Sequence, residues 1–288
     1  MKRLVSSLCI ALISLGSLAA CGGGQSSEVN KPQTELSKLA GPEDLKQVQI
    51  AVQRGTVGET LAQELLGDKA QDQLLSFELY PQAIEALKQH KVQAIIMDEK
   101  PAQAYLSSNK DSLMILPEPI QEESYAIGIK KGNSELKQAV DKALKELKSN
   151  GELEKIFAKY EGKEQTELAA FKASDIDLNP EGKKGSLIVG LKPDFPPYEY
   201  LDSQGGYLGI DVELSAALAK ALDYKLEFRN MAFDALPAAL NAGQVDLICS
   251  GLTVTEERLK NMDFSEVYYE GAKQVALILK ANYAGVKQ

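Results

Sequence analysis

One histidine and three cysteines in 288 residues leave this chain little with which to do metal or thiol chemistry. Cys9 lies in the opening apolar segment and Cys21 directly after it, so a folded body made from the remainder holds Cys249 alone. A single cysteine closes no intramolecular disulfide, and with His90 as the sole imidazole neither a zinc site nor a thiol–histidine pair is expected. Basic charge is also short: 32 Lys and Arg against 41 Asp and Glu give a formal charge of −9. Nucleic acid and broad adhesion to anionic lipid are therefore not expected, since both need clustered cations. Long hydrophobic runs are lacking too. The uncharged stretch from Leu4 to Leu18 is shorter than the roughly 20 residues of a membrane span.

What is present at the start is an ordered set of signals. Lys2 and Arg3 lead into that apolar stretch, then Leu18-Ala19-Ala20, then Cys21. Basic, apolar, small, then cysteine is the order of a bacterial lipoprotein export signal, with an ordinary secretory signal and a chance cysteine as the alternative. Residues 1–20 are read as the signal peptide, Cys21 as the lipid-carrying residue, and residues 21–43 as a flexible tether opening with Gly22-Gly23-Gly24. The expected location is the cell envelope, outside the cytoplasm, with the chain a monomer anchored to a membrane by that lipid.

Beyond the tether, strand-like and helix-like segments alternate. Val48 to Val52 reads as a strand, Gly58 to Leu66 as a helix, Leu74 to Leu79 as a strand, Gln82 to Gln89 as a helix and Val92 to Met97 as a strand. This rhythm predicts a parallel α/β sheet. Ser124 to Lys130 reads as one strand. Asn133 or Ser134 then caps a long amphipathic helix that Gly151 stops, and a second helix runs to about Tyr160. Residues 161–185 read as a surface connection, unusually long for a compact domain. The same unit occurs twice: Ala86-Leu87, four residues and Val92 in one half, Ala239-Leu240, four residues and Val245 in the other. Two related lobes explain this better than a solenoid, which needs three or more repeats.

Val189-Gly190, Asp194-Phe195-Pro196-Pro197-Tyr198-Glu199-Tyr200, Gly209-Ile210-Asp211-Val212, Phe233-Asp234, Ser250-Gly251-Leu252-Thr253, Thr255-Glu256-Glu257-Arg258 and Asp263-Phe264-Ser265 form a specific set. Together they resemble the first lobe of the polar amino-acid-binding proteins that serve ABC importers, the bacterial extracellular solute-binding proteins of family 3. Gln53-Arg54-Gly55-Thr56-Val57-Gly58-Glu59 and Val92 to Glu99 resemble the second lobe, and Tyr125 to Gly162 resembles the family's C-terminal segment. The resemblance implies a two-lobed type 2 periplasmic-binding-protein fold with a cleft between the lobes. The order of the pieces differs from the family's, so the chain looks circularly permuted. On this reading residues 44–123 form the second, small lobe and residues 124–288 the first, large lobe, with 161–185 sealing the usual termini. Ser124 to Lys130 crosses between lobes, and the other crossing is opened into the termini near Asp44 and Lys280, which predicts a softer hinge.

By the same resemblance a free polar amino acid is the ligand, an ABC permease the partner, and no cofactor, metal or catalysis is involved. Arg258 is the expected carboxylate partner, because a guanidinium grips two oxygens with parallel donors; on its own it reads more often as a surface or structural ion pair. Asp98, at a strand's C-terminal end, is expected to take the ligand ammonium, or to cap the helix that starts at Glu99. Ser250, Gly251 and Thr253 flank the carboxylate. Gly55, Thr56 and Val57 offer backbone amides from a strand-to-helix turn; the family often has a hydroxyl where this chain has Val57. Phe195 and Phe233 sandwich the ligand's aliphatic part, or are ordinary core. Lys192 and Arg54 bring cations to the cleft, which favours acidic or neutral polar ligands over basic ones, unless both are solvated surface charges. An enzyme related to cyclohexadienyl dehydratases, with Asp98 and Glu199 as candidate acid–base groups, and an amino-acid sensor module are the alternatives on this fold.

Overall fold

Strand–helix alternation builds two main sheets rather than one, beside a three-stranded antiparallel sheet; one main sheet draws strands from both ends of the described chain, the other from the stretch between them. The computed structural model describes residues 38–178 and 182–285. The expected signal peptide, Cys21 and most of the tether lie outside the described residues, as do three residues of the 161–185 connection.

The first half carries β1 (Ile50–Gln53), α1 (Val57–Leu66), α2 (Ala70–Gln73), β2 (Leu74–Phe77), α3 (Tyr80–Lys88), β3 (Ala94–Asp98), α4 (Glu99–Ser107), β4 (Leu113–Ile115) and β5 (Gln121–Tyr125). After two residues come β6 (Gly128–Lys130), α5 (Ser134–Ser149), α6 (Glu152–Tyr160) and α7 (Gln165–Leu168). The second half carries β7 (Ser186–Leu191), β8 (Asp194–Phe195), β9 (Glu199–Leu201), β10 (Tyr207–Leu208), α8 (Ile210–Leu222), β11 (Lys225–Asn230), α9 (Leu236–Asn241) and β12 (Leu247–Ile248). It ends with α10 (Glu256–Asn261), β13 (Met262–Phe264) and β14 (Tyr269–Leu279).

Local signals explain most of these boundaries. Thr56 caps α1 by accepting from the Glu59 amide, Asn133 caps α5 by accepting from the Leu136 amide, and Thr255 caps α10 by accepting from the Arg258 amide. Gly151, at φ 74°, turns the chain between α5 and α6 where a side chain would be strained. Every residue of β1 and β3 is buried, as expected of central strands covered on both faces by helices.

The sheets are mixed, where the alternation predicts a parallel one. In the small lobe the order is β2-β1-β3-β14-β4, with β1 parallel to β2 and β3 and with β14 antiparallel to β3. In the large lobe it is β11-β7-β12-β6-β13, with β7 parallel to β11 and β12 and with β6 antiparallel to β12. In both, three parallel strands from local βαβ units accept an antiparallel fourth that arrives from the opposite lobe. The recurrent Ala-Leu…Val unit falls on α3–β3 and α9–β12, and Ala86, Leu87, Val92, Ala239, Leu240 and Val245 are all buried.

These arrivals correct three expectations. Ser124–Lys130 is not one strand: β5 ends in the small lobe, Ala126 and Ile127 cross, and β6 begins in the other sheet. The second crossing is not opened either. β14 pairs antiparallel with β5 over Tyr269–Gln274 and continues into the small-lobe sheet through Leu279, so two covalent, mutually paired strands join the lobes. The ground for a softer hinge is removed, and the last described residues belong to the small lobe rather than the large one. Finally, order begins before Asp44: Leu39 is fully buried, its amide donates to the Asn282 carbonyl at 2.7 Å and its carbonyl accepts from the Ala284 amide at 2.9 Å.

The 161–185 connection holds more structure than a surface loop. It contains α7, buries Leu168, and receives the Tyr200 hydroxyl on the Leu168 carbonyl at 3.2 Å. Phe171 packs edge-on against Tyr160.

Candidate functional site

Where the two parallel sets of strands end, the lobes meet around a narrow cavity of about 10 Å³. Strand C-termini are where open α/β sheets present loops and helix N-termini to a ligand. The small lobe contributes Gln53 at the end of β1, Thr56 and Val57 at the start of α1, Asp98 at the end of β3, and Gln274 of β14. The large lobe contributes Lys192, Phe195, Glu199, Phe233, Ser250, Gly251, Thr253 and Arg258.

Arg258 extends from the first half of α10. Its Nη1 donates to the Thr253 carbonyl at 2.8 Å and its Nη2 reaches across the cleft to the Gly55 carbonyl at 3.0 Å. The guanidinium lies 5.5 Å from the centroid of the Phe233 ring, a cation–π distance. Burial pulls its pKa down, opposed by the negative charges of Glu123 and Asp98. Carbonyl oxygens hold the group in place while leaving its charge uncompensated by any direct ion pair within 4.0 Å among the described residues.

Asp98 is buried and does not cap α4 with its side chain. Its carboxylate instead accepts from the Tyr125 hydroxyl of β5. Burial, and then the neighbouring Glu123 carboxylate, push Asp98 up to about 7. Glu123 is itself raised by burial; one oxygen accepts from the Thr253 hydroxyl at 2.6 Å, and the other has no partner. A buried pair of carboxylates so placed is poised to hold a proton or a cation.

The floor is made by glycine and rings. Gly251 has φ 51°, and a Cβ there would stand 2.4 Å from the Phe195 ring, so only glycine lets ring and turn approach. Its amide donates to Asp211 at 2.6 Å, which ties the turn to α8. The Ser250 hydroxyl donates to Glu199 and accepts from the Lys192 amide at 3.0 Å. Burial holds the Glu199 carboxyl well above its usual range, with a second push from Asp211.

Ten of the expected site residues line this one cavity; Gly55 and Arg54 do not. The Gly55 amide is taken by the Glu59 carboxylate at 2.7 Å, so this residue meets the site through its carbonyl and Arg258 rather than by cradling an anion. Thr56 likewise spends its hydroxyl locally, donating to the Gln53 carbonyl at 2.7 Å. Arg54 is exposed and stands 3.9 Å from Asp234. Successive strand residues face opposite ways, so with Gln53 turned into the cleft Arg54 points out. Lys192 is buried, but it is not a bare cation: Glu78 of the small lobe lies 3.6 Å away.

Residues absent from the sequence-based set are Gln53, Gln274 and Glu123; Glu199 figured there only as a candidate acid–base group. Strand alternation through Val52 could have pointed to Gln53. Gln274 had no local signal: it reaches the site only because β14 pairs with β3 in the register that sets it opposite Asp98.

A family model described as bacterial extracellular solute-binding proteins, family 3, matches residues 39–163 and 187–284. A protein of Neisseria gonorrhoeae named a probable histidine-binding protein is 45% identical over 102 residues, 35% of this chain and 38% of that one. The arginine-binding extracellular protein ArtP of Bacillus subtilis is 47% identical over 89 residues, 31% of this chain and 34% of that one. These alignments span little more than a third of the relatives' own length. Among solved structures, the arginine-bound form of domain 1 from TmArgBP is 38% identical, at a TM-score of 0.30, over 34% of this chain and 82% of that one.

Proposed function

The chain belongs to the bacterial extracellular solute-binding proteins of family 3, and from that premise we propose that it binds a free polar amino acid outside the cytoplasm and delivers it to the permease of an ABC importer. One observation carries the reading: Arg258 and Asp98, on opposite lobes, face the same cavity. A free amino acid presents a carboxylate and an ammonium on adjacent atoms, and burying both is tolerable only if each meets opposite charge with hydrogen bonds. Arg258 takes the carboxylate, helped by the α1 N-terminus; Asp98 takes the ammonium. Phe195 and Phe233 cover the apolar part.

Because the two charges stand on different lobes, a bound zwitterion bridges them and favours the closed form. The paired strands β5 and β14 are the hinge about which closure occurs. The Lys192–Glu78 pair leaves that end of the cleft nearly balanced, which suits a neutral polar side chain best and an acidic one next. A basic side chain is the second reading, favoured by the buried carboxyls of Glu123 and Glu199 and by relatives named for arginine and histidine. The chain is further read as a circularly permuted lipoprotein monomer, carrying lipid on Cys21. Support for the permutation lies in the Leu39–Tyr283 bridge, which sets the two ends of the described chain side by side, and in the connection 164–186, which lies between the two family matches.

Thermal-shift screening against the twenty amino acids, followed by calorimetric titration of the strongest, tests the reading. Arg258→Ala is expected to weaken binding about 100-fold, and Arg258→Lys by less, because one point charge replaces two parallel donors. Absence of any shift with the wild-type protein, or full affinity in Arg258→Ala, refutes it.

A further inference from the structure

Asp194, on β8 of the large lobe, is not among the residues that line the cavity, yet it gathers more bonds from the other lobe than any residue that does. Its Oδ2 accepts from Gln53 Nε2 at 3.0 Å and from the Tyr80 amide at 3.2 Å; its Oδ1 stands 3.2 Å from the same Gln53 nitrogen. Its backbone carbonyl accepts from the Tyr105 hydroxyl at 2.9 Å. All three donors belong to the small lobe, on β1, α3 and α4. The next residue continues the contact, with the Phe195 ring stacked 6.0 Å from that of Tyr80.

The bond to Tyr80 has a particular meaning. Tyr80 is the first residue of α3, and its amide has no partner within the helix. A cap residue normally supplies an acceptor, but here Leu79 occupies that position and its side chain has no acceptor to offer. Asp194 supplies the missing anion from the facing lobe, where it also meets the positive end of the α3 dipole. If the lobes part, α3 loses its acceptor, Gln53 loses its partner and Tyr105 its carbonyl, all at once.

We propose that Asp194 is the closure residue of the binding cycle: a large-lobe side chain that caps a small-lobe helix only when the cleft is shut, and so sets the ratio of closed to open protein without touching the ligand. This rests on the hinge-closure reading above. Apparent affinity scales with the fraction of protein in the binding-competent form, so removing the contact weakens binding while every ligand-contacting residue stays in place.

The test pairs small-angle scattering of the ligand-free protein with calorimetric titration of the amino acid that gives the largest thermal shift. Asp194→Ala is expected to increase the ligand-free radius of gyration and to raise Kd about tenfold. Asp194→Asn, which keeps an acceptor for the Tyr80 amide, should stay within about threefold of wild type. Tyr105→Phe, which removes a single hydroxyl and is safe for folding, should shift both readings the same way by a smaller amount; it decides the matter if Asp194→Ala does not fold. Unchanged radius and Kd in Asp194→Ala, or in Tyr105→Phe where that variant has to decide, overturn the proposal. If no amino acid binds the wild-type protein, the functional reading fails on its own, and the ligand-free scattering comparison still decides the role of Asp194.

Discussion

At Asp98 the surroundings set chemistry that residue type alone does not. An aspartate in water is ionised throughout the neutral range, but burial and Glu123 raise this one from 3.8 to about 7. An incoming ammonium needs the ionised form. Affinity for the amino acid is therefore expected to be constant above about pH 7.5 and to fall below pH 7, approaching tenfold per pH unit. Titration calorimetry from pH 5.5 to 8.5 checks this, and Asp98→Asn should lose both the affinity and the slope. A flat profile in the wild-type protein would mean that the carboxyl is not the ammonium partner. Of the two readings open for this residue in the sequence, the fold does not bear out the side-chain cap: Asp98 bonds Tyr125 rather than its own helix.

Among the elements, the connection after α6 is the one whose role the sequence conceals. Pro180, Gly162, Gly182 and Gly185 give it the composition of a loop, and a loop it partly is. Yet Glu161, Glu164 and Gln165 reach α4 of the small lobe and the turn after it, through Lys100 at 3.5 Å, Lys110 at 2.5 Å and the Ser107 hydroxyl at 2.8 Å. Leu168 anchors the same segment in the main core. Leu168→Ala should lower stability by about 2–4 kcal/mol through the cavity it leaves, with denaturant or thermal melts as the measurement. A loss below about 0.5 kcal/mol would show the segment to be a passive linker. β1, β3, α1 and α5, in contrast, lie within a few residues of where periodicity and caps place them, because those signals are local.

For the molecule as a whole, the buried Asp98 and Asp211 and the half-buried Asp194 act in one direction. Burial raises Asp98 and Asp211 to about 7 and Asp194 to about 6, each from 3.8. A raised native pKa means that the fold binds the proton more tightly than the unfolded chain does, so this stabilisation is full below about pH 4 and is lost as pH rises through 6 to 7. Asp202, Asp263 and Glu167 are lowered instead, so their contributions change only in acid. The melting temperature of the ligand-free protein should accordingly be higher at pH 5.5 than at pH 8 in the same buffer ionic strength; the reverse order would show these groups to be ionised in the fold. The proposed permutation makes a second whole-molecule prediction. Joining residue 284 to residue 39 through a short linker, and opening the chain at 179–181, should give a protein with the same amino-acid affinity within about threefold, because the new bond spans ends already paired. Failure to bind after correct folding would tie activity to the present chain order.

By itself the sequence determined the α/β class, the two related halves, the acidic composition, and the short motifs that carry Arg258 and Asp98. Those features are written in periodicity, charge count and short motifs, each contained in a few neighbouring residues. Only the tertiary structure decided that both lobe crossings are intact, that β14 carries Gln274 to the face of Asp98, that Gln53 rather than Arg54 looks inward, and that Asp194 completes a helix of the opposite lobe. Each of these depends on residues more than a hundred positions apart, or on the register of a single strand, and chain neighbours hold no record of such contacts.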